Sequence, residues 1–209
     1  MKTPTELCVT RHGETDWNIA GILQGWIDVP LNENGRRQSR ELAEALTPAN
    51  FSSICSSPLQ RSLETAEIIA ATWGLPSPLP CEGLKERHFG RLQGMPKDDV
   101  FRLYPDLHRE ILRRCPTCDF AEGESMDHFA DRVIAGLRAI AERHAGGRVL
   151  VITHGWVMDV ITREVRDLPR DAVLDMKRGN GESIWLRPVG GTDFAEIQAP
   201  EPGETASGR

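Results

Sequence analysis

No apolar run in the chain approaches the roughly 18–20 residues needed to cross a bilayer. The opening Met1-Lys2-Thr3-Pro4-Thr5-Glu6 also lacks the apolar stretch of a secretory leader. We therefore expect a cytoplasmic protein with no membrane partner. A basic excess is missing too: 25 Lys and Arg face 31 Asp and Glu, for a formal net charge of −6. That balance argues against a generic nucleic-acid binder. The five cysteines, at 8, 55, 81, 115 and 118, are odd in number and irregular in spacing, unlike a disulfide framework. Cys115-Pro-Thr-Cys118 alone has ligand-like spacing, but no nearby Cys or His pair completes a zinc site. It sits in a Pro-containing connector rather than at a helix start, where a redox pair would lie. No metal or other cofactor is expected. No internal repeat, dividing linker or coiled-coil heptad is present, so subunit number is undetermined and a homodimer is left open.

What is present suits an ordinary soluble globular protein. At 209 residues, 39% of them hydrophobic, the chain can bury a real core as one domain, expected over residues 1–198. Residues 199–209 hold no large apolar anchor and are expected to be a disordered tail. Short β-rich runs alternate with amphipathic segments. Strands are expected at Leu7–Thr10, Phe51–Cys55, Val149–Ile152, Ser183–Arg187 and Phe194–Gln198. Asn32 caps a helix running to Leu46. Ser57-Pro58 reads as an N-cap followed by Pro at the first helical position. The next helix carries Leu63, Ala66, Ile69, Ala70 and Trp73 on one face and stops at Gly74 and Pro76. Residues 77–105 read as irregular, with at most a short helix. Ser125 caps a long helix striped by Phe129, Val133, Leu137, Ile140 and Ala141, and another spans Trp156 to Arg166. The order predicts an α/β three-layer sandwich, a mostly parallel sheet with helices on both faces.

Three segments repeat one plan, a strand, then polar residues, then a helix start: Thr10-Arg11-His12-Gly13-Glu14-Thr15, Ser56-Ser57-Pro58-Leu59-Gln60-Arg61 and Thr153-His154-Gly155. In an open α/β sheet the carboxyl ends of the strands form the ligand crevice, and helix N-termini there favour anions. Two arginines and two histidines delivered to one crevice point to a compact multivalent anion such as phosphate, which a planar guanidinium grips bidentately.

Arg11-His12-Gly13-Glu14 followed by Trp17-Asn18 resembles the signature of the histidine phosphatase superfamily, which includes the cofactor-dependent phosphoglycerate mutases. The resemblance continues through Gln24-Gly25-Trp26, Asp28-Val29-Pro30-Leu31, Gly35, Ser57-Pro58 with Arg61, Glu86 with Gly90 and Gly94, Gly123-Glu124-Ser125, and Thr153-His154-Gly155. It implies a phosphoglycerate mutase-like fold and a phosphohistidine mechanism. His12 would be the nucleophile. Arg11, Arg61 and His154 would hold the phosphoryl oxygens with Asn18, while Gln24 and Gly155 line the substrate site. Glu86 would protonate the leaving oxygen and then activate water. These types suit the chemistry, because a neutral imidazole is nucleophilic near pH 7 without a metal and phosphoryl transfer is mostly positioning and electrostatics.

Plainer readings hold elsewhere. His88, two residues from Glu86, is expected to be structural or to support the site without touching substrate, and His108, His128 and His144 lie on helix surfaces. Trp17 and Trp26 pack under the first loop, and Arg36, Arg37 and Glu41 form a solvated helix face. The phosphohistidine can pass its phosphoryl group to water or back to a substrate. Gln24 stands where glycolytic mutases typically have a small residue, and the stretch from Glu86 to Gly123 is shorter than the mutase insert. Both favour hydrolysis of a small-molecule phosphomonoester. Against this, Glu86–Gly94 is similar to the mutase segment, although Phe89 replaces a tyrosine. Lys97, Arg113 and Arg114 fall where mutases hold the substrate carboxylate, and they suggest a second anionic group on the substrate. The alternatives are a mutase and a non-catalytic phosphate-binding protein. The latter is disfavoured because nucleophile and acid are both present.

Overall fold

The computed structural model describes residues 4–113, 117–119, 122–174, 178–190 and 193–200. Its sheet grows around β1 (Glu6–Arg11), the first apolar run. A short helix α1 (Asp16–Ile19) and then α2 (Glu33–Leu46) lead to β2 (Ser53–Ser56), α3 (Gln60–Trp73) and a two-residue β3 (Leu79–Pro80). Two cover helices follow, α4 (Lys97–Leu103) and α5 (Pro105–Leu112). The chain returns through α6 (Met126–Arg143), β4 (Arg148–Thr153) and α7 (Gly155–Val165), and closes with β5 (Ser183–Val189) and β6 (Asp193–Ile197). The strand order is β3-β2-β4-β1-β5-β6. The first four are mutually parallel, while β5 runs antiparallel to β1 and β6 antiparallel to β5.

Strand periodicity assigns the two faces. Leu7, Val9, Val149 and Val151 point into a core closed by Phe129, Val133 and Leu137 of α6 and Val157 and Ile161 of α7. Cys8, Leu150 and Ile152 point the other way, onto Ala43 of α2 and Ala66 and Ile69 of α3. The expected three-layer α/β sandwich is what forms. Asn32 and Ser125 cap α2 and α6 as the sequence indicates. Gly74, at φ +66°, ends α3 in the left-handed conformation that glycine adopts freely.

Several expectations need correction. Ser57 does not cap α3, which begins at Gln60. The Gln60 N–H goes instead to Asp28 Oδ1, and the Ser57 hydroxyl accepts from Leu59 N. Pro58 therefore lies in the loop. Arg36 is not simply solvated: its Nε reaches Glu64 at 2.6 Å and ties α2 to α3. His144 is tucked at the end of α6, with Nδ1 3.1 Å from Ser53 Oγ. Arg114, Cys115 and residues 201–209 lie outside the described residues. Among those described, no helix is long and apolar enough to cross a membrane.

Candidate active site

Three adjacent parallel strands, β2, β4 and β1, end at one rim, and the residues just past their ends meet there. His12 follows β1, His154 follows β4, and Ser57 with Arg61 follow β2. The imidazole rings of His12 and His154 stand edge to face, 5.1 Å between centroids. His154 Nε2 is 2.8 Å from Ser57 Oγ and 3.3 Å from Ser62 Oγ. These contacts bind the three loops into one floor. Gly13 is required there, because a Cβ at that position would lie 2.5 Å from the Gly35 carbonyl oxygen.

His12 is 3% exposed, and its Nδ1 lies 2.6 Å from the Gly13 carbonyl oxygen. A carbonyl only accepts, so Nδ1 carries the proton and Nε2 keeps its lone pair. Burial, with Arg61 and Arg11 close by, holds the His12 pKa well below the ordinary histidine value, so the ring is neutral. Burial and the same cations act on His154 in the same direction. Arg61 is almost wholly buried, with Nη1 and Nη2 fixed on the carbonyls of Ile27 and Gly25. Burial pulls its pKa down to about 10, which still leaves it charged at neutral pH.

A cavity of about 250 Å³ opens over this floor. Of the residues singled out from sequence, Arg11, His12, Asn18, Gln24, Arg61, Glu86, Lys97 and Gly155 line it. His154 is not among the lining residues; its ring lies against that of His12. Arg113 does not join them; it sits exposed at the end of α5, 3.9 Å from Glu110. The expected basic trio of Lys97, Arg113 and Arg114 is therefore represented in the cavity by Lys97. Cys118 is a free thiol whose carbonyl takes a bond from Arg87.

Glu86 reaches the cavity from the irregular stretch after β3. That stretch is held from below by Thr153 Oγ1 on the Leu84 carbonyl, at 2.8 Å. Arg132 of α6 holds it from the side, bonding the carbonyls of Gly83, Lys85 and Glu86 while Glu124 takes its Nε and Nη2. Burial raises the Glu86 pKa, against N–H bonds from Arg87 and Trp156 and the nearby charges of Arg61 and Arg11. His88 is structural, as expected: its Nδ1 accepts from Gly90 N and its ring abuts Trp26. Trp26 is not packed under the first loop as expected: it is partly exposed, lies against His88 and Lys85, and donates from Nε1 to the Glu86 carbonyl.

Several buried polar atoms at the site have no hydrogen-bond partner, among them Gln24 Oε1 and Arg178 Nε on the cavity wall. Arg11 Nε, Arg61 Nε and His154 Nδ1 are buried and lack a protein partner. Buried polar groups are almost always satisfied; two of these belong to the guanidiniums of Arg11 and Arg61, which line the cavity and stand close to the neutral His12 ring, an arrangement that suits an oxygen-rich anion.

The sequence profile of the histidine phosphatase superfamily (branch 1) matches residues 7–196. The chain belongs to this superfamily. A metal-independent phosphoserine phosphatase of Arabidopsis thaliana is 39% identical over 159 residues, 75% of this chain and 67% of that one. A phosphoglycerate mutase-like protein 4 of the same plant is 37% identical over 167 residues, 79% and 73% of the two chains. Among solved structures, a mycobacterial glucosyl-3-phosphoglycerate phosphatase in complex with VO3 superposes with a TM-score of 0.79 at 27% identity, covering 92% of this chain and 96% of that one. For a histidine phosphatase, the motifs legible in the sequence supply most of the floor. Sequence reasoning missed Asp159 and Arg178, which also line the cavity, and Ser62, which supports His154. Asp159 could have been found, since it lies one helical turn after Gly155 on the same face of α7. Arg178 carried no signal: it arrives from the loop before β5.

Proposed function

We propose that this protein is a metal-independent phosphomonoester hydrolase that works through a phosphohistidine on His12, acting on a small phosphorylated metabolite. The observation that carries the reading is the neutral His12 ring, its Nε2 free, close to the guanidiniums of Arg11 and Arg61, each with one nitrogen lacking a hydrogen-bond partner. In the first step Nε2 attacks phosphorus in line and the phosphorus–ester oxygen bond breaks. The phosphoryl oxygens take their hydrogen bonds from Arg11, Arg61 and His154. Asn18 adds its amide N–H₂, because its Oδ1 is already committed to Thr15 N. Glu86 gives its proton to the departing alkoxide, a role that its raised pKa suits. The resulting carboxylate then takes a proton from water as the oxygen attacks the phosphohistidine, releasing inorganic phosphate. Donors fixed before the charge spreads need no reorganisation at that moment. The reading takes residues 1–198 as one catalytic unit.

A mutase is less favoured. Gln24 and Phe89 both line the cavity, and Arg113 is not among the residues that do. Relatives named as phosphatases, including one for phosphoserine and one for glucosyl-3-phosphoglycerate, support hydrolysis of a small acidic ester. The test is phosphate release from a panel of phosphomonoesters with a chelator present, including 3-phosphoglycerate with and without 2,3-bisphosphoglycerate. Steady release unaffected by chelator is expected. Isomerisation that depends on the bisphosphate, with little release, would overturn the hydrolase reading.

A further inference from the structure

The turn from Arg178 to Glu182 makes four hydrogen bonds to Arg11 and His12. The Arg178 carbonyl accepts from Arg11 Nη1. Gly181 N donates to the Arg11 carbonyl, and Arg11 N donates to the Glu182 carbonyl, at 3.1 and 3.0 Å. Asn180 Nδ2 donates to the His12 carbonyl at 2.8 Å. The turn is itself anchored, because the Arg178 guanidinium bonds Glu182 Oε1 and, on α7, Thr162 Oγ1.

The Asn180 contact falls on a sensitive peptide plane. The His12 carbonyl and the Gly13 N–H share it, and Gly13 N donates across to Thr65 Oγ1 of α3 at 3.1 Å. One edge of the plane is thus pinned from the 178–182 turn and the other from α3. Gly13 must be glycine to clear Gly35, and glycine restrains its own backbone least. The next carbonyl, that of Gly13, is the one that holds His12 Nδ1. Any rotation of this plane therefore moves the acceptor that sets the tautomer and aim of the nucleophile.

We propose that Asn180 is a positioning residue for phosphoryl transfer, which holds the His12–Gly13 peptide plane so that the ring presents Nε2 with its lone pair to phosphorus. This rests on the reading of His12 as the nucleophile. Small displacements of a reacting group can cost up to about 100-fold in rate. Asn180→Ala should accordingly slow phosphoenzyme formation about 10- to 100-fold in single-turnover quench experiments, with KM changed less than about threefold. Ring ¹⁵N spectra should show His12 as the single Nδ1–H tautomer in the parent protein and a mixture in the variant. Asn180→Asp, which keeps the size but has no donor while ionised, should show the same split if Asn180→Ala does not fold. Gly179→Ala, whose added Cβ meets nothing within 4 Å, should phosphorylate at the parent rate and controls for the turn as a whole. A well-folded Asn180 variant that phosphorylates at the parent rate with an unchanged tautomer would overturn the proposal. So would loss confined to thermal stability or KM. If His12→Ala still forms an acid-labile phosphoenzyme, the nucleophile reading itself fails, and the brace with it.

Discussion

The floor of the site and its cover are held in opposite ways. On the floor, Thr153, His154, Ser57 and Ser62 are wholly buried, and each polar side chain there is tied to a strand end or to a neighbouring loop. The cover helices α4 and α5 are stitched to the body mainly through Val100 and Leu107, packed against Phe89 and Leu92. Their outer surface leaves Phe101 at 61% and Leu112 at 60% exposed, beside the exposed pairs Asp99–Arg102, Asp106–Arg109 and Glu110–Arg113. Such pairs contribute only a few tenths of a kcal/mol. The floor residues are buried and held by several hydrogen bonds, whereas the two cover helices rest on a small apolar cluster.

That contrast can be broken by mutation, and the largest effect belongs to the floor. His12→Ala should remove nearly all turnover and all acid-labile phosphoenzyme; substantial residual hydrolysis would mean another group attacks phosphorus. Arg61→Ala should cost on the order of 100- to 1000-fold in kcat, as for removal of one preorganised donor. A loss of only a few-fold would show that its Nε does not meet the phosphoryl group. Glu86→Gln should slow an alkyl phosphate about 100-fold or more while slowing p-nitrophenyl phosphate less than about tenfold, because only the poor leaving group needs the proton. Equal slowing of both would reduce Glu86 to a structural role.

Acid sharpens the comparison through stability rather than rate. Burial depresses the pKa of both His12 and His154. Below the ordinary histidine value of 6.5 the unfolded chain therefore binds protons that the folded chain refuses. Their contribution is fully present above that value and is lost as pH falls towards the folded pKa. Denaturation midpoints measured from pH 7.5 to 5.5 should drop, and His154→Gln should flatten the slope. An unchanged slope would show that His154 accepts a proton without unfolding. The smallest effect belongs to the cover: Arg113→Ala should change KM for an acidic ester less than about twofold, given an exposed pair worth under about 1 kcal/mol. A tenfold rise would place Arg113 on the substrate.

Much of this was legible in advance, for local reasons. The apolar run Val149–Ile152 and the caps Asn32 and Ser125 depend on neighbours in the chain, and they stand where patterning puts them. The start of α3 was misplaced because its first N–H is taken by Asp28, which sequence pattern does not connect to Gln60. The two-residue β3 has too few residues to show a period.

For the site, sequence by itself determined which chemical groups are available and, through the strand–loop–helix plan of three segments, that they share one end of the sheet. Only the tertiary structure decided their state. Burial makes His12 neutral, the Gly13 carbonyl selects its tautomer, and packing leaves one nitrogen each of Arg11, Arg61 and His154 without a hydrogen-bond partner. It also brought in Asn180, Arg178 and Arg132, which are far along the chain from what they hold, and it left Arg113 outside. Residue type and spacing carry local information; desolvation and long-range hydrogen bonds exist only once the strands have set the loops side by side.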